Sequence, residues 1–366
     1  MAEGKVRYAV VGGGWISQAA FMPAVARTRN STLAAIVTGD AEKRAALGAR
    51  YGIPAYDYGD YDRLLASGDI DAVYLATPNW LHREGTEKAL AAGIHVLLEK
   101  PAAASLEDAE AIRDAAARAR AKLMVAYRLH FEPATLAALE VVRSGRLGQA
   151  RLFSSAFAQI VAPGNHRSKH GYWAGPVVDM GPYPINMARH VFGEEPVEIA
   201  AIGTRDPALE MNFDDTVSVS MRFPGGGLAQ FSVSYAGRPV DQYRILGSAG
   251  DLAVEPGFTF GTGLRHRLSL PGGVQEEGFA ATDQFAGELE YFSDCVLRGL
   301  DPEPDGEEGW CDMRILDAIE RALAQGGRVA LPPFQRRARP VASQRREIPL
   351  DAPPPPLVNA HAPGEG

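Results

Sequence analysis

The first third of the chain alternates short apolar runs with stretches of helical period. Val6 to Val11 is an apolar run that ends at a glycine cluster, which reads as a buried strand. A helical pattern follows to about Arg27, and Leu33 to Thr38 is a second apolar run. Asp40 is positioned to cap a helix through Arg50. Asp71 to Thr77 reads as a strand, and Asn79 as the cap of a helix that stops at Gly93. Ile94 to Leu98 is again a strand, Ser105 and Asp108 open a long alanine-rich helix, and Leu123 to Ala126 is a further strand. Strands alternating with helices predict right-handed crossovers and a parallel sheet covered on both faces.

Beyond residue 126 the texture changes. One helix is expected from Pro133 to Ser144, stopped by Gly145. Strand-like segments then dominate: Ala150 to Ala158, Thr216 to Phe223, Leu228 to Tyr235, Tyr243 to Leu246, Asp251 to Val254 and Leu264 to Leu270. Several alternate polar with apolar, and Gly225 to Gly227 joins two of them as a hairpin would. This pattern predicts a mostly antiparallel sheet with one covered face. Two helices, Phe285 to Arg298 and Met313 to Gln325, are expected to close this second domain. The fold class is therefore α/β: a doubly wound Rossmann domain over residues 1–125, then an α+β domain with a large open-faced sheet over 126–334. Residues 335–366 are rich in Arg and Pro, with Pro353 to Pro356 in a row, and have no period. They read as an extended arm, either disordered or laid on a neighbouring subunit. A bare apolar sheet face needs a partner, so a homodimer or homotetramer is expected.

Composition narrows the function. The 366 residues are 46% hydrophobic and carry a formal net charge of −8. That is enough apolar residue for two cores, and too acidic for nucleic acid as main partner. No apolar stretch approaches the ~20 residues a bilayer span needs, and no secretory leader is visible, so a cytoplasmic protein is expected. Cys295 and Cys311 are too few for a disulfide scaffold, and two buried reduced thiols are expected rather than a pair. No His, Cys, Asp and Glu spacing resembles a zinc site, so no metal is predicted.

The glycine cluster carries the first chemistry. Gly12, Gly14 and Ser17 follow the first strand directly. In a dinucleotide-binding turn the first glycine permits the tight bend, the second lets the backbone approach a pyrophosphate, and a small third residue lets helix and strand pack closely. The helix N-terminus then offers its N–H groups to the phosphates. At the end of the second strand, where an acid would bind a ribose diol, the spacing places Thr38, with Lys43 and Arg44 just after it. A hydroxyl and two cations suit a 2′-phosphate, which predicts NADP, with NAD possible. Lys43 and Arg44 as a solvated helix face, with Asp40 reaching the ribose, is the competing reading.

Leu98-Glu99-Lys100-Pro101, together with the glycine turn and Ala76-Thr77-Pro78-Asn79-Trp80-Leu81-His82, resembles the glucose–fructose oxidoreductase/inositol dehydrogenase superfamily. Ala126-Tyr127-Arg128-Leu129-His130-Phe131-Glu132-Pro133 and Val178-Asp179-Met180-Gly181-Pro182-Tyr183 resemble its glucose–fructose oxidoreductase branch. The similarity spans about residues 5 to 334. It implies an NAD(P)-dependent dehydrogenase or reductase that moves a hydride between nicotinamide and a sugar, polyol or related substrate. Hydride transfer at an alcohol carbon needs a general acid/base and a group that steadies an alkoxide-like oxygen. The resemblance implies Lys100 as the second and Tyr183 as the first. A phenol needs a nearby cation such as Lys100 to exchange protons near neutral pH.

Asp179, four residues before Tyr183, shares its face if the segment is helical, and would orient Lys100 or bind a substrate hydroxyl; a helix cap is the alternative. By the same resemblance Trp15, Ile16, Thr77, Pro78, Asn79, His82, Glu99 and Arg128 surround the cofactor, although His82 fits a helix surface equally well. Tyr127 and Arg128 are expected to line the cofactor cleft. His166, Lys169, His170 and Trp173 form a polar–aromatic stretch that suits a polyol or is a plain surface loop. Asn186 replaces an aspartate of the histidine-bearing branch, which weakens any inositol-type specificity. Two rival readings stand beside this one. The chain is a non-catalytic NAD(P)-sensing regulatory or scaffold protein of the same fold, or it keeps its cofactor and shuttles hydride between two sugars.

Overall fold

A computed structural model describes residues 4–162 and 164–365, except for the side chain of His166. The strands are β1 (Val6–Val11), β2 (Ser31–Val37), β3 (Ala55–Tyr56), β4 (Ala72–Leu75), β5 (His95–Leu98), β6 (Leu123–Val125), β7 (Ala150–Ala158), β8 (Glu198–Thr204), β9 (Thr216–Arg222), β10 (Leu228–Ser234), β11 (Val240–Gly247), β12 (Asp251–Val254), β13 (Arg265–Leu270), β14 (Gly273–Gly278) and β15 (Val329–Ala330). The helices are α1 (Met22–Val25), α2 (Ala41–Tyr51), α3 (Tyr61–Leu65), α4 (His82–Ala91), α5 (Leu106–Arg118), α6 (Pro133–Arg143), α7 (Pro176–Met180), α8 (Pro182–Phe192), α9 (Gln284–Arg298) and α10 (Gly306–Gln325).

The chain folds as two units, and neither is a single run of sequence. The first comprises residues 1–131, 283–310 and 346–362; the second comprises 132–282, 311–345 and 363–366. In the first, six parallel strands lie in the order β3-β2-β1-β4-β5-β6. Its strands are apolar at nearly every position because both faces are covered. Val6, Tyr8 and Val10 of β1 pack with Leu289, Phe292 and Val296 of α9 in one core. The sequence reading placed this helix in the second domain. Its amphipathic pattern specifies a buried face but not which sheet buries it. Asp40 caps α2 by accepting from the Glu42 and Lys43 amides, and Ser105 caps α5 through the Asp108 amide. Asn79 is not the N-cap of α4, a position held by Leu81: it lies in a 3₁₀ turn, Asn79–Leu81, that intervenes before that helix.

The C-terminal arm is extended, as its composition predicts, but part of it lies on its own chain rather than on a neighbour. Within the first unit, the Arg346 amide donates to the Phe131 carbonyl at 3.0 Å and the Asp283 amide to the Ile348 carbonyl at 2.7 Å. Arg27 bonds Asp351 and the Ala352 carbonyl, and Arg50 bonds the Pro356 carbonyl. Val358 packs against the core.

In the second unit nine strands run β14-β13-β12-β11-β7-β10-β9-β8-β15, antiparallel throughout except for the β7–β10 pair. β9 and β10 form the expected glycine hairpin, with Gly226 at φ +86°. Helices α6, α7 and α8 cover the inner face, on which Val217, Val219, Met221, Phe231 and Val233 are buried. The outer face is not the bare apolar surface expected. It carries Ser218, Ser220, Ser232, Gln242 and Arg244 among scattered Ile202, Leu228 and Leu246. Both cysteines are buried thiols, not joined in a disulfide. Among the described residues no helix is long and apolar enough to cross a membrane.

Candidate functional site

In the first unit the glycine turn closes tightly over the end of β4. Gly12 has φ +103°, and a Cβ built there would lie 2.5 Å from the Ala76 carbonyl oxygen. Only glycine fits this position, because both its backbone angle and the space forbid a side chain. Gly14 is different: a Cβ there would meet nothing within 4 Å, so its backbone faces open space. The Ser17 hydroxyl donates to the Gly12 carbonyl at 2.6 Å and is fully buried, which is the close packing a small third residue allows. Trp15 and Ile16 begin the helix and are half-buried. Five residues, Ser17–Phe21, form a π-helical turn before α1. Beside it, the buried Gln18 amide donates to the Gly13 carbonyl at 2.8 Å.

The end of β2 lies against the same turn. A Cβ on Gly13 would come within 3.4 Å of both the Thr38 side chain and the Lys43 stem. Arg44 is held by the Thr38 carbonyl and Asp57, each at 2.7 Å. Asp40 faces its own helix as a cap.

The ends of β4 and β5 complete this half. His82 is 1% exposed, which removes the surface alternative. Its Nδ1 lies 3.1 Å from the Pro101 carbonyl and its Nε2 2.9 Å from the Thr77 carbonyl. Burial pulls the imidazole down to about 4, against the raising effect of those carbonyls. His82 thus sits between the Thr77–Pro78 turn and the Lys100–Pro101 segment, with a backbone carbonyl facing each ring nitrogen and the neutral ring donating to one of them. Glu99 is buried, accepts from the Tyr74 hydroxyl at 2.6 Å and from the Lys100 amide at 3.1 Å. Burial pushes its carboxyl up, and the Lys100 charge and the Tyr74 bond oppose that. Tyr127 and Arg128 are buried inside the first unit: the Tyr127 ring stacks on His130 at 5.5 Å and the Arg128 guanidinium bonds Gln284. Both pack here as core residues.

A dinucleotide fits what the first unit offers. The Gly12 turn packs tightly against the end of β4, and the backbone at Gly14 faces open space where a Cβ would meet nothing within 4 Å. The Thr77 hydroxyl beside it is buried with no hydrogen-bond partner among the described residues, so a ligand atom can satisfy it.

In the second unit Asp179 and Tyr183 lie on consecutive helices, α7 and α8, joined at Gly181. A Cβ on Gly181 would fall 2.1 Å from the Val177 carbonyl oxygen, so the junction demands glycine. Asp179 is not a cap. Its Oδ2 accepts from Tyr235 at 3.0 Å, Arg167 at 3.1 Å and Gln159 at 3.3 Å. Burial, and then the Asp179 charge, push the Tyr235 phenol well up, so it remains a donor. Burial acts to lower the Arg167 guanidinium, and Asp179 more than offsets it. The Tyr183 ring packs edge-on to Phe157 at 5.6 Å and tilted to Phe258 at 6.0 Å. Trp173 packs edge-on to Tyr172 and bonds Glu320, Lys169 and His170 are exposed, and Asn186 is buried on α8. The His166 side chain lies outside the described residues. Sequence reasoning missed Gln159, Arg167 and Tyr235. Arg167 stands inside the polar stretch already noted, but nothing local marks it as the ion-pair partner.

A parallel six-stranded sheet with a glycine turn after its first strand defines a dinucleotide-binding oxidoreductase fold. The chain matches the profile of the oxidoreductase family with an NAD-binding Rossmann fold over residues 6–127, and that of the GFO/IDH/MocA C-terminal domain over 135–253. It is 30% identical over 329 residues to an NADP(+) D-xylose 1-dehydrogenase of Haloarcula marismortui, covering 87% of this chain and 91% of that one. A second NADP(+) D-xylose 1-dehydrogenase, from Haloferax volcanii, is 31% identical, covering 88% and 99%. The crystal structure of aldose–aldose oxidoreductase from Caulobacter crescentus, complexed with glycerol, superposes with a TM-score of 0.84 at 34% identity, covering 89% of this chain and 100% of that one. The chain belongs to the GFO/IDH/MocA oxidoreductase family.

Proposed function

We propose that this chain is an NADP-dependent oxidoreductase that moves a hydride between the nicotinamide and a hydroxyl-bearing carbon of an aldose or related small sugar. One observation supports it above the others. His82 ties the turn carrying Thr77 to the segment carrying Lys100, at the carboxyl ends of β4 and β5 and beside the Gly12 turn. Open α/β sheets bind their ligands at that edge. The dinucleotide, when bound, supplies the hydride acceptor or donor.

The remaining chemistry falls to side chains. Gly12 and Gly14 admit the pyrophosphate, and the half-buried Trp15 and Ile16 flank it. Thr38, Lys43 and Arg44 face the adenosine ribose, and a hydroxyl with two cations favours its 2′-phosphate. Thr77, Pro78, Asn79 and Glu99 border the nicotinamide end. In oxidation, Tyr183 takes the hydroxyl proton as the C–H hydride departs, leaving a carbonyl; in reduction, Tyr183 returns that proton to the oxygen. The Lys100 ammonium hydrogen-bonds the reacting oxygen and steadies its developing negative charge. Asp179, fixed by Arg167 and Tyr235, positions a substrate hydroxyl, with Trp173 as an apolar face for the sugar ring. Self-association of the chain belongs to the same reading, and light scattering of the purified protein measures it.

The test is a spectrophotometric screen of NADP and NAD against aldoses, sugar acids, polyols and diols. The reading predicts turnover with an aldose and a higher kcat/KM with NADP. No turnover with any of them removes it. Similarity to the aldose–aldose oxidoreductase favours a second reading, in which the cofactor stays bound and hydride passes from one sugar to another. Reduced-nicotinamide absorbance in the protein as purified, discharged by an added aldose, distinguishes the two.

A further inference from the structure

We infer that Asn359, carried by the C-terminal arm, is a specificity-determining residue of the dinucleotide site: it holds the Asp40 carboxylate away from the ribose and so makes the β2 edge a seat for a 2′-phosphate. The inference rests on the NADP reading and adds a residue far outside the glycine motif.

An acid close behind the second strand is the feature that reads a ribose diol. Asp40 stands two residues after Thr38, in reach of that role. Its Oδ1 is taken by the Glu42 and Lys43 amides at 2.9 and 3.0 Å. Its Oδ2 accepts from the Asn359 amide nitrogen at 3.2 Å, and the same nitrogen donates to Glu42 Oε2 at 2.9 Å. A primary amide has two donor hydrogens. Asn359 spends both on the two acids nearest the strand end, while Thr38 and Lys43 remain against Gly13.

The contact is built rather than incidental. Asn359 has φ +46°, a left-handed conformation that asparagine adopts more readily than other non-glycine residues. The residue before it, Val358, has both backbone groups bonded to the Gln18 side chain, at 2.9 and 2.8 Å. Gln18 in turn holds the Gly13 carbonyl. One buried glutamine therefore registers the arm to the glycine turn, and that register delivers Asn359 to Asp40. Released from Asn359, Asp40 Oδ2 accepts from a ribose 2′-hydroxyl and repels a 2′-phosphate.

The test uses the full-length protein and fluorescence titration with NADPH and NADH, which reads binding without turnover. Asn359→Gly removes the amide and keeps the left-handed backbone unstrained. Asp40→Ser keeps a capping oxygen for α2 and removes the carboxylate. The wild type is expected to bind NADPH more tightly. Asn359→Gly is expected to lower the preference, Kd(NADH) over Kd(NADPH), by about tenfold, the effect of one charged hydrogen bond. In the Asp40→Ser background the same substitution is expected to leave the preference unchanged. An unchanged preference in Asn359→Gly, or an equal fall with and without Asp40, overturns the inference while leaving the NADP reading intact. A wild type that prefers NADH, or binds neither, overturns both.

Discussion

His82 gives a prediction whose size follows from its surroundings. The imidazole is buried against two carbonyls and is held at about 4, compared with 6.5 for the unperturbed group. A group depressed in the folded state stabilises the fold above its unfolded value, and that stabilisation is lost as pH falls toward the folded value. The window is therefore about pH 6.5 down to 4. The full shift corresponds to about 3 kcal/mol, of which about 2 kcal/mol disappears between pH 7 and pH 5. Burial also raises other carboxyls such as Glu99 and Asp283, so the useful quantity is a difference. His82→Gln keeps one N–H for one carbonyl and does not titrate. At pH 7 it is expected to cost about 1–2 kcal/mol, because the flexible amide fills the buried site less well than the ring it replaces. By pH 5 the wild type has lost its advantage, and the two stabilities converge. Urea unfolding of both proteins at pH 7, 6 and 5 measures this. Parallel curves across that range refute a buried neutral imidazole.

Two further substitutions test other parts of the fold and site. Gly12→Ala forces a Cβ against the Ala76 carbonyl at a positive φ and is expected to weaken NADPH binding at least tenfold and to cost about 1–3 kcal/mol of stability; titration and thermal unfolding check the pair of effects. Arg189 is fully buried in the second unit between Glu195 and Asp312, each at 2.6 Å. Arg189→Met removes the buried cation between these carboxylates, of which Glu195 keeps Arg339 at 3.0 Å, and is expected to cost about 3–5 kcal/mol in urea unfolding, with partial recovery when Asp312→Asn is added.

The strands and the glycine turn were legible because their signals are local: an apolar run, a cap, a glycine that must bend. The position of α9 was not. Its apolar stripe states that Leu289, Phe292 and Val296 are buried, and only long-range packing decides that β1 receives them. The arm defeated periodicity for the same reason. Much of its attachment is made by backbone groups of Ile348, Pro356 and Val358, which carry no side-chain signature. At the site, Thr38, Lys43 and Lys100 were marked by spacing and resemblance. His82, which sits between the Thr77 turn and the Lys100 segment, read equally well as a surface residue, because burial is a property of the assembled fold. Arg167, Gln159 and Tyr235 meet at Asp179 from three separated stretches of sequence.

In the proposed reaction Tyr183 and Lys100 carry out the proton exchange that accompanies hydride transfer to a bound NADP. The most direct measurement is a single-turnover reaction of NADP-loaded protein with an aldose, followed by reduced-nicotinamide absorbance, in the wild type, Tyr183→Phe and Lys100→Ala. Reduction is expected to be at least a hundredfold slower in both variants, with NADPH affinity by titration within a few-fold of wild type. Wild-type rates of reduction in both variants would contradict it.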